Sequence, residues 1–329
     1  MSKIRAIITA VEGYVPEDII DNQMLSRMTN TSDEWIMTRI GIKTRHILKG
    51  EKGPSDMAKI VVDKIIQKKG LSPSEIDLII CCTVTPDMQF PATANIIADK
   101  CGIKGGFGFD INAGCSGFIY GITTGSKYIE SGFCNKVLVI GAEKMTSIVN
   151  YEDRTTCPIF GDGAAAVLLE ASVDSPYGVI DEILYSDGVG VKHLHQVAGG
   201  SLHPATIETV MNKQHFIYQE GQPVFKWAVT KMAEVTEELL EKNNMKKSDI
   251  DFLLPHQANI RIIKATGDRL ELKDDQVLVN IKEFGNTTSA TIPMLMAENQ
   301  HKFKKGDNLI LTSFGAGFTW GSVLVKWAY

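Results

Sequence analysis

LSPSEIDLIICCTVTPD, residues 71–87, and MKKSDIDFLLPHQA, residues 245–258, decide the fold, because the second stretch repeats the pattern of the first. Each starts with polar residues, continues through Ser-x-Ile-Asp and ends in a short apolar run that predicts a buried strand. Each also follows a segment, residues 55–70 or 224–244, whose apolar residues recur at spacings of three and four. That spacing is typical of an amphipathic helix.

A second pair of matching segments lies further along the chain. Residues 135–144 and 307–317 are short apolar runs that end in a glycine-containing loop. Residues 161–171 and 315–327 then pass from a glycine turn into a strand. Short apolar strands that alternate with helices predict mixed, mainly parallel sheets layered with helices.

The repeated order predicts two related α/β halves, residues 1–172 and 173–329. Coincidence is the alternative, since strands of α/β proteins look alike, but four matched segments in one order disfavour it. Residues 172–220 have poor periodicity and include a Gly-rich, polar stretch, so they predict a long excursion near a site.

The composition excludes several classes of function. The 329 residues are 44% hydrophobic and 22% charged, as in an ordinary globular protein. The formal net charge of −5 argues against nucleic acid as a partner. No apolar run reaches the roughly 20 residues of a membrane helix, and no export signal is recognisable at the N-terminus. We therefore expect a cytoplasmic protein without a membrane partner.

The six cysteines form no CxxC pair and no metal-ligand spacing, so we expect reduced thiols and no metal site. A cysteine is more often a buried core residue than a catalyst, so each needs its own argument. The cysteines are Cys81, Cys82, Cys101, Cys115, Cys134 and Cys157.

Cys115 lies in DINAGCSGF, residues 110–118, where a predicted strand turns into a predicted helix. Small neighbours allow a tight, exposed turn. Free N–H groups and partial positive charge at a helix start favour a thiolate, so we expect a lowered pKa. The alternative is a small residue packed at a helix start.

Three further segments carry candidate chemistry. His256 follows the buried strand of the second half, at the carboxyl end where α/β sheets bind ligands. Asn286 lies in a loop before a helix, where it could equally be a turn former or cap. The glycines of residues 313–321 leave backbone N–H groups accessible, as an oxyanion hole requires.

Together these motifs resemble β-ketoacyl-[acyl carrier protein] synthase III, a condensing enzyme of the thiolase-fold superfamily. The similar segments run along nearly the whole chain in the family's order. They are TSDEWIMTRIGIKTRH (31–46), FPATA (90–94), DINAGCSGF (110–118), EDRTTCPIFGDGAAA (152–166), AGGS (198–201), FLLPHQANIRI (252–262), FGNTTSATIP (284–293) and FGAGFTWGS (314–322). The resemblance implies a thiolase-like αβαβα fold with duplicated halves.

The resemblance also implies a reaction: an acyl-CoA primer condenses with malonyl-[acyl carrier protein], with loss of CO2, to begin fatty-acid synthesis. Cys115 would accept the acyl group, and the N–H groups of Cys115 and Ala316 would hold the oxyanion. His256 and Asn286 would donate to the enolate formed by decarboxylation. Coenzyme A is then a substrate, and no cofactor is implied.

Further roles follow from the same resemblance. Residues implied to contact coenzyme A are Thr31, Trp35, Arg39, Arg154, Gly221, Phe225 and Asn259. Trp35 and Arg154 would cover the two faces of the adenine, and Arg39 would pair with phosphate. Phe90 would enter the acyl pocket of a partner subunit, which implies a homodimer.

Carrier-protein docking would use a basic rim formed by Lys226, Arg261, Lys264 and Arg269. Asp268 departs from the basic pair expected beside Arg269. Residues 218–225, YQEGQPVF, also depart from the family's pattern, although Gly221 and Phe225 match it.

Three other interpretations remain open. A family member could prime a polyketide or aryl-polyene pathway with another acyl group. A Cys-His-Asn thioesterase or papain-like hydrolase would use His256 as a base on Cys115. A non-catalytic scaffold could retain the fold, although all three polar positions are intact.

Overall fold

The computed structural model describes residues 3–329. The strands are β1 (Ile4–Tyr14), β2 (Ile19–Asp21), β3 (Thr44–His46), β4 (Leu78–Cys82), β5 (Phe107–Ile111), β6 (Lys136–Lys144), β7 (Asp162–Val173), β8 (Gly178–Ser186), β9 (Leu194–Gln196), β10 (Ile217–Gln219), β11 (Phe252–Pro255), β12 (Asn308–Gly315) and β13 (Thr319–Lys326). The helices are α1 (Asn22–Met28), α2 (Asp33–Arg39), α3 (Pro54–Lys69), α4 (Thr93–Lys100), α5 (Gly117–Glu130), α6 (Ile207–Met211), α7 (Gly221–Lys242), α8 (Ile260–Arg269), α9 (Ile281–Phe284) and α10 (Thr291–Asn299).

Two large sheets have the same strand order. One runs β1-β7-β6-β4-β5 and the other β8-β13-β12-β11. β11 occupies the position that β4 has in the first sheet. An isolated parallel bridge between Leu253 and Val277 lies beside β11, just as β5 pairs in parallel with β4. The repeat in the sequence therefore extends to the topology. The division at residues 172 and 173 stays a prediction, and β7 ends at Val173.

The sheets are mixed, but the expectation that they are mainly parallel is wrong. Within residues 3–329, their parallel ladders are β4–β5, β4–β6 and β11–β12, against four antiparallel ladders. The physical reason is the length of the connections. Residues 316–318 join β12 to β13, and so short a loop permits a hairpin but no parallel crossover.

The excursion predicted for residues 172–220 is also more ordered than expected. It contains β8, which pairs along its length with β13 at the edge of the second sheet. Polar residues interrupt the apolar pattern of β8, and most of its side chains are only partly buried. Past β8 come two short paired strands, β9 and β10, and the exposed five-residue helix α6.

Helices fill the layers between and outside the sheets. α5 packs on β6 and β1 of the first sheet and also contacts β13 and β8 of the second. α10 lies in the same layer and contacts β1, β7 and β11. α3 and α4 cover the outer face of the first sheet, and α7 lies on the second, with α8 packed against α7. Within residues 3–329, no helix combines the length and hydropathy needed to cross a membrane.

Candidate active site

Cys115 lies in a single helical turn, residues 114–116, directly after β5 and before α5. The turn packs backbone to backbone against the loop that joins β12 to β13. Gly114 has φ of 56°, and a Cβ there would lie 2.6 Å from the backbone N of Ala316. A Cβ on Gly315 would collide with the backbone N of Cys115. Glycine at both positions therefore lets the N–H groups of Cys115 and Ala316 come close together.

Hydrogen bonds from the second half hold this turn in place. The Ser313 hydroxyl donates to the carbonyl of Cys115 at 2.9 Å, and the Thr319 hydroxyl donates to the carbonyl of Ala113 at 2.8 Å. The Ser116 hydroxyl donates in return to the carbonyl of Thr319 at 3.0 Å. The nucleophile turn of one half is thus fixed by the terminal hairpin of the other.

His256 follows β11 and is almost fully buried, with 2% of its surface exposed. Its backbone N–H donates to the carbonyl of Thr312 at 2.8 Å, which extends the β11–β12 ladder. Its ring Nδ1 lies 2.7 Å from the hydroxyl of Thr291, while Nε2 has no hydrogen-bond partner within residues 3–329. Burial lowers the pKa of His256 to about 3, so the imidazole is neutral at neutral pH.

Asn286 contacts the cysteine directly. Its side-chain Oδ1 accepts from the backbone N–H of Thr288 at 2.7 Å, which leaves its Nδ2 to act as a donor. Its backbone N–H donates to the carbonyl of Ile159, and its backbone carbonyl accepts from the N–H of Gly161. The Asn286 side chain bonds the Cys115 thiol and thereby works to lower the pKa of Cys115.

The expectation of a lowered pKa at Cys115 is nevertheless wrong. Burial, followed by the charge of Glu143, raises the pKa of Cys115 to about 12. These two effects outweigh the hydrogen bond from Asn286. A helix start favours a thiolate only if the sulfur is solvated or paired, and here the sulfur is buried and the charge that acts on it is negative. In the resting chain the nucleophile is a thiol.

Glu143, at the end of β6, is a residue that the sequence analysis missed. Its carboxylate is fully buried and accepts from the hydroxyls of Thr83, Thr85 and Ser289 and from the backbone N–H groups of Val84 and Thr85. Burial raises the pKa of Glu143 to about 7. An acidic residue directly after the apolar run VLVIGA, residues 137–142, was the available signal.

One cavity of about 860 Å³ joins most of the candidate residues. Cys115, His256 and Asn286 line it together with Ala316. So do several residues with implied roles in substrate or carrier-protein contacts: Trp35, Arg39, Gly221, Phe225, Asn259, Lys226 and Arg261. The walls between are largely apolar, for example at Met145, Phe160 and Leu194. The cavity therefore suits an acyl chain that enters through a polar mouth.

At the mouth, the guanidinium of Arg154 lies 4.9 Å from the centre of the Trp35 ring. A base held between the two groups needs a separation of roughly 7 Å, twice an ordinary contact distance. Arg154 must therefore swing outward for both groups to cover an adenine. Thr31 is close by in sequence, and its buried hydroxyl has no partner in the described part of the chain.

Asn259 lines the cavity but is already engaged on both sides of its amide. Its Oδ1 caps α8 by accepting from the N–H of Arg261 at 2.9 Å. Its Nδ2 donates to the carbonyl of Arg39 at 3.0 Å. Any contact between Asn259 and coenzyme A would have to share these groups.

The four predicted docking residues do not form one free patch. Lys226 and Arg261 are exposed at the mouth, and the Arg261 guanidinium lies 5.0 Å from the Phe225 ring. Lys264 is exposed one turn further along α8. Arg269, at the far end of α8, is paired with Glu237 at 2.6 Å. Phe90 is 84% exposed and does not line the cavity of its own chain.

Comparison with known proteins decides the family. A family model described as 3-oxoacyl-[acyl-carrier-protein (ACP)] synthase III matches residues 109–188, and a model of that enzyme's C-terminal part matches residues 240–327. The chain is 52% identical to beta-ketoacyl-[acyl-carrier-protein] synthase III 2 of Bacteroides thetaiotaomicron, over 100% of the chain and 98% of the relative. The chain belongs to the 3-oxoacyl-[acyl-carrier-protein] synthase III family.

Solved structures agree with this assignment. The synthase III of Aquifex aeolicus superposes with a TM-score of 0.89 at 38% identity, covering 98% of this chain and 100% of that one. A priming β-ketosynthase of the R1128 polyketide pathway superposes with a TM-score of 0.90 at 28% identity, covering 99% and 97%. The predicted thiolase-like fold class is confirmed, and the chain is an acyltransferase of the synthase III type.

Proposed function

We propose that this synthase III condenses an acyl-CoA primer with malonyl-[acyl carrier protein] to give 3-oxoacyl-[acyl carrier protein], coenzyme A and CO2. The proposal rests on one observation above all. A cysteine, the amide that contacts it and a buried neutral histidine line a single cavity with a polar mouth. This set can accept an acyl group and afterwards stabilise an enolate.

In the first step, Cys115 Sγ attacks the thioester carbonyl of the primer. The Sγ–C bond forms, the bond from that carbon to the sulfur of coenzyme A breaks, and the thiol proton passes to the departing sulfur. The N–H groups of Cys115 and Ala316 donate to the oxyanion, and their closeness across the glycine contact supports this role. The product is an acyl-cysteine thioester.

In the second step, the bond between the malonyl methylene and its carboxylate breaks, and its electron pair enters the thioester as an enolate. Asn286 Nδ2 and His256 Nε2 donate to the enolate oxygen. CO2 departs, the carbanion attacks the acyl carbonyl, the bond from that carbon to Cys115 Sγ breaks, and the Cys115 thiolate takes up a proton from the solvent. The unpartnered Nε2 of His256 supports this role, because a ring nitrogen without another partner is available to the enolate without prior rearrangement.

We propose that coenzyme A binds along the polar mouth as a substrate, with no bound cofactor needed. Trp35 and Arg154 would hold the adenine once Arg154 swings aside, and Arg39 would pair with phosphate. Thr31, Gly221, Phe225 and Asn259 would complete the contacts. The position of five of these seven residues on the cavity wall supports the assignment.

We also propose an acidic carrier protein and a second copy of the chain as partners, and the cytoplasm as the location. An acidic carrier protein would dock on Lys226, Arg261 and Lys264. Arg269 would contribute to docking only after it leaves its ion pair with Glu237. A homodimer would bring Phe90 of each chain to the acyl pocket of the other, which its 84% exposure supports. We expect the enzyme to act in the cytoplasm.

Two alternatives make different predictions. The likeness to a polyketide priming enzyme favours a second candidate, with the same chemistry on a different acyl group. A hydrolase would need His256 as a base, and a pKa of about 3 makes it a poor one at neutral pH. The acyl-CoAs that acylate the protein, tested as a panel, distinguish the proposed synthase from a polyketide-priming enzyme. A free acid released without a 3-oxoacyl product would identify a hydrolase.

Intact-protein mass spectrometry with acyl-CoAs, followed by malonyl carrier protein, tests the proposal. We expect wild-type protein to gain one acyl group, Cys115→Ala to gain none and Cys101→Ala, a control at another buried cysteine, to behave as wild type. His256→Ala should acylate normally and condense about 100-fold more slowly, because it loses one donor. Acyl uptake by Cys115→Ala at the wild-type rate would contradict the proposal.

A further inference from the structure

Thr291, at the start of α10, contacts the buried histidine. Its hydroxyl oxygen lies 2.7 Å from His256 Nδ1 and 3.0 Å from the carbonyl oxygen of Thr288. Thr291 and His256 are both 2% exposed, so within residues 3–329 little solvent reaches this contact. The other ring nitrogen, Nε2, is buried without a hydrogen-bond partner in the same residues.

One hydroxyl has one proton, so Thr291 cannot donate to both neighbours. If it donates to Thr288, the hydroxyl must accept from an N–H at Nδ1, and Nε2 is left with a lone pair. If it donates to Nδ1, the single ring proton lies on Nε2 instead. Both distances lie within hydrogen-bond range, although donation to Nδ1 takes the proton away from the Thr288 carbonyl, and the two arrangements give His256 opposite chemistry toward the cavity.

We propose that Thr291 is a positioning residue whose hydroxyl donates to His256 Nδ1 and so keeps the ring proton on Nε2. The inference rests on the proposed function, in which Nε2 donates to an enolate oxygen. A neutral imidazole carries one ring proton, and burial lowers the pKa of His256 to about 3. A lone pair at Nε2 would repel the enolate, so only one tautomer supports the condensation.

Thr288 links this contact to the second donor. Its backbone N–H donates to Asn286 Oδ1 at 2.7 Å, and its carbonyl is the competing acceptor for Thr291. Thr288 has φ of 53°, a left-handed conformation that is uncommon for a β-branched residue. Strained backbone of this kind persists where the surrounding structure over-determines it, often at functional sites. Residues 286–291 therefore orient Asn286 and His256 through one short segment.

Nitrogen-15 NMR of protein labelled at its histidine rings tests the inference directly. His256→Ala identifies the resonances of His256. In the wild-type protein we expect Nε2 to carry the proton and Nδ1 to resonate as a hydrogen-bond acceptor. In Thr291→Val the two tautomers should mix, and in Thr291→Ser the wild-type tautomer should return. A protonated Nδ1 in the wild-type protein overturns the inference, whatever the activity.

Kinetics give an independent readout. Thr291→Val should acylate Cys115 normally and condense about ten- to a hundredfold more slowly, with most of the rate restored by Thr291→Ser. Thr266→Val is a matched control, because it removes a buried threonine hydroxyl that donates to the backbone carbonyl of Ile262. An equal loss in both variants, or an unchanged tautomer in Thr291→Val, would refute the role. A wild-type protein that keeps the expected tautomer but makes no 3-oxoacyl product would instead refute the proposed function.

Discussion

Glu143 makes the stability of the folded chain depend on pH. Burial raises its pKa from 4.5 to about 7, so the folded chain binds this proton more tightly than the unfolded chain does. The stability that this proton contributes is full below about pH 4.5 and is lost as the pH rises through about 7. The loss amounts to about 3 kcal/mol of the free energy of unfolding.

Glu143→Gln should remove that pH dependence, because the amide stays neutral in both states. Urea unfolding at about pH 5 and about pH 8 would show wild type losing about 2.5 kcal/mol relative to the variant. Glu241→Gln, at an exposed glutamate, is the control and should follow wild type. If Glu143→Gln also followed wild type at both pH values, Glu143 would not titrate as described.

At the scale of elements, two glycine-containing turns let the start of α5 meet the β12–β13 hairpin. Gly114→Ala would direct its new Cβ at the backbone N of Ala316, 2.6 Å away. We expect the proposed oxyanion donors to separate and the acylation rate to fall by about 100-fold. Mass spectrometry of acyl uptake over time measures this rate.

Gly102→Ala is the matched control for that experiment. Gly102 has φ of 68°, similar to the 56° of Gly114, and a Cβ there meets no heavy atom of residues 3–329 within 4 Å. Both substitutions should cost about 1–2 kcal/mol of stability from the left-handed backbone. Only Gly114→Ala should slow acylation, and equal rates in the two variants would show that close packing of the turns is unimportant.

The sequence predicted elements better than it predicted their contacts. The repeat located β4 and β11 because buried strands carry a local apolar pattern, whereas β8 was missed because polar residues interrupt its apolar pattern. Cys115 and His256 stand at strand ends, which local patterns reveal. Glu143 bonds Ser289, 146 positions away, and no local pattern reports such a pair. The raised pKa of Cys115 escaped prediction for the same reason.

At the scale of the molecule, one sheet edge and its aromatic residues argue for self-association. Within residues 3–329, β5 pairs only with β4, so its other edge is open. Phe107 on that strand is 41% exposed and stacks edge-on with Phe133, which is 70% exposed. An open strand edge beside exposed aromatic rings favours pairing with a second chain.

Phe107→Asp should therefore dissociate the proposed homodimer, because a charge on the edge strand would be buried in the contact without a partner. Light scattering after size-exclusion chromatography should give twice 36.1 kDa for wild type and 36.1 kDa for the variant. Leu202→Asp, at an 84% exposed side chain in a loop of the second half, should remain dimeric. Since Phe90 would then lose its place in the partner's pocket, Phe107→Asp should also change which acyl-CoA chain lengths acylate Cys115. A dimeric Phe107→Asp protein would place the interface elsewhere.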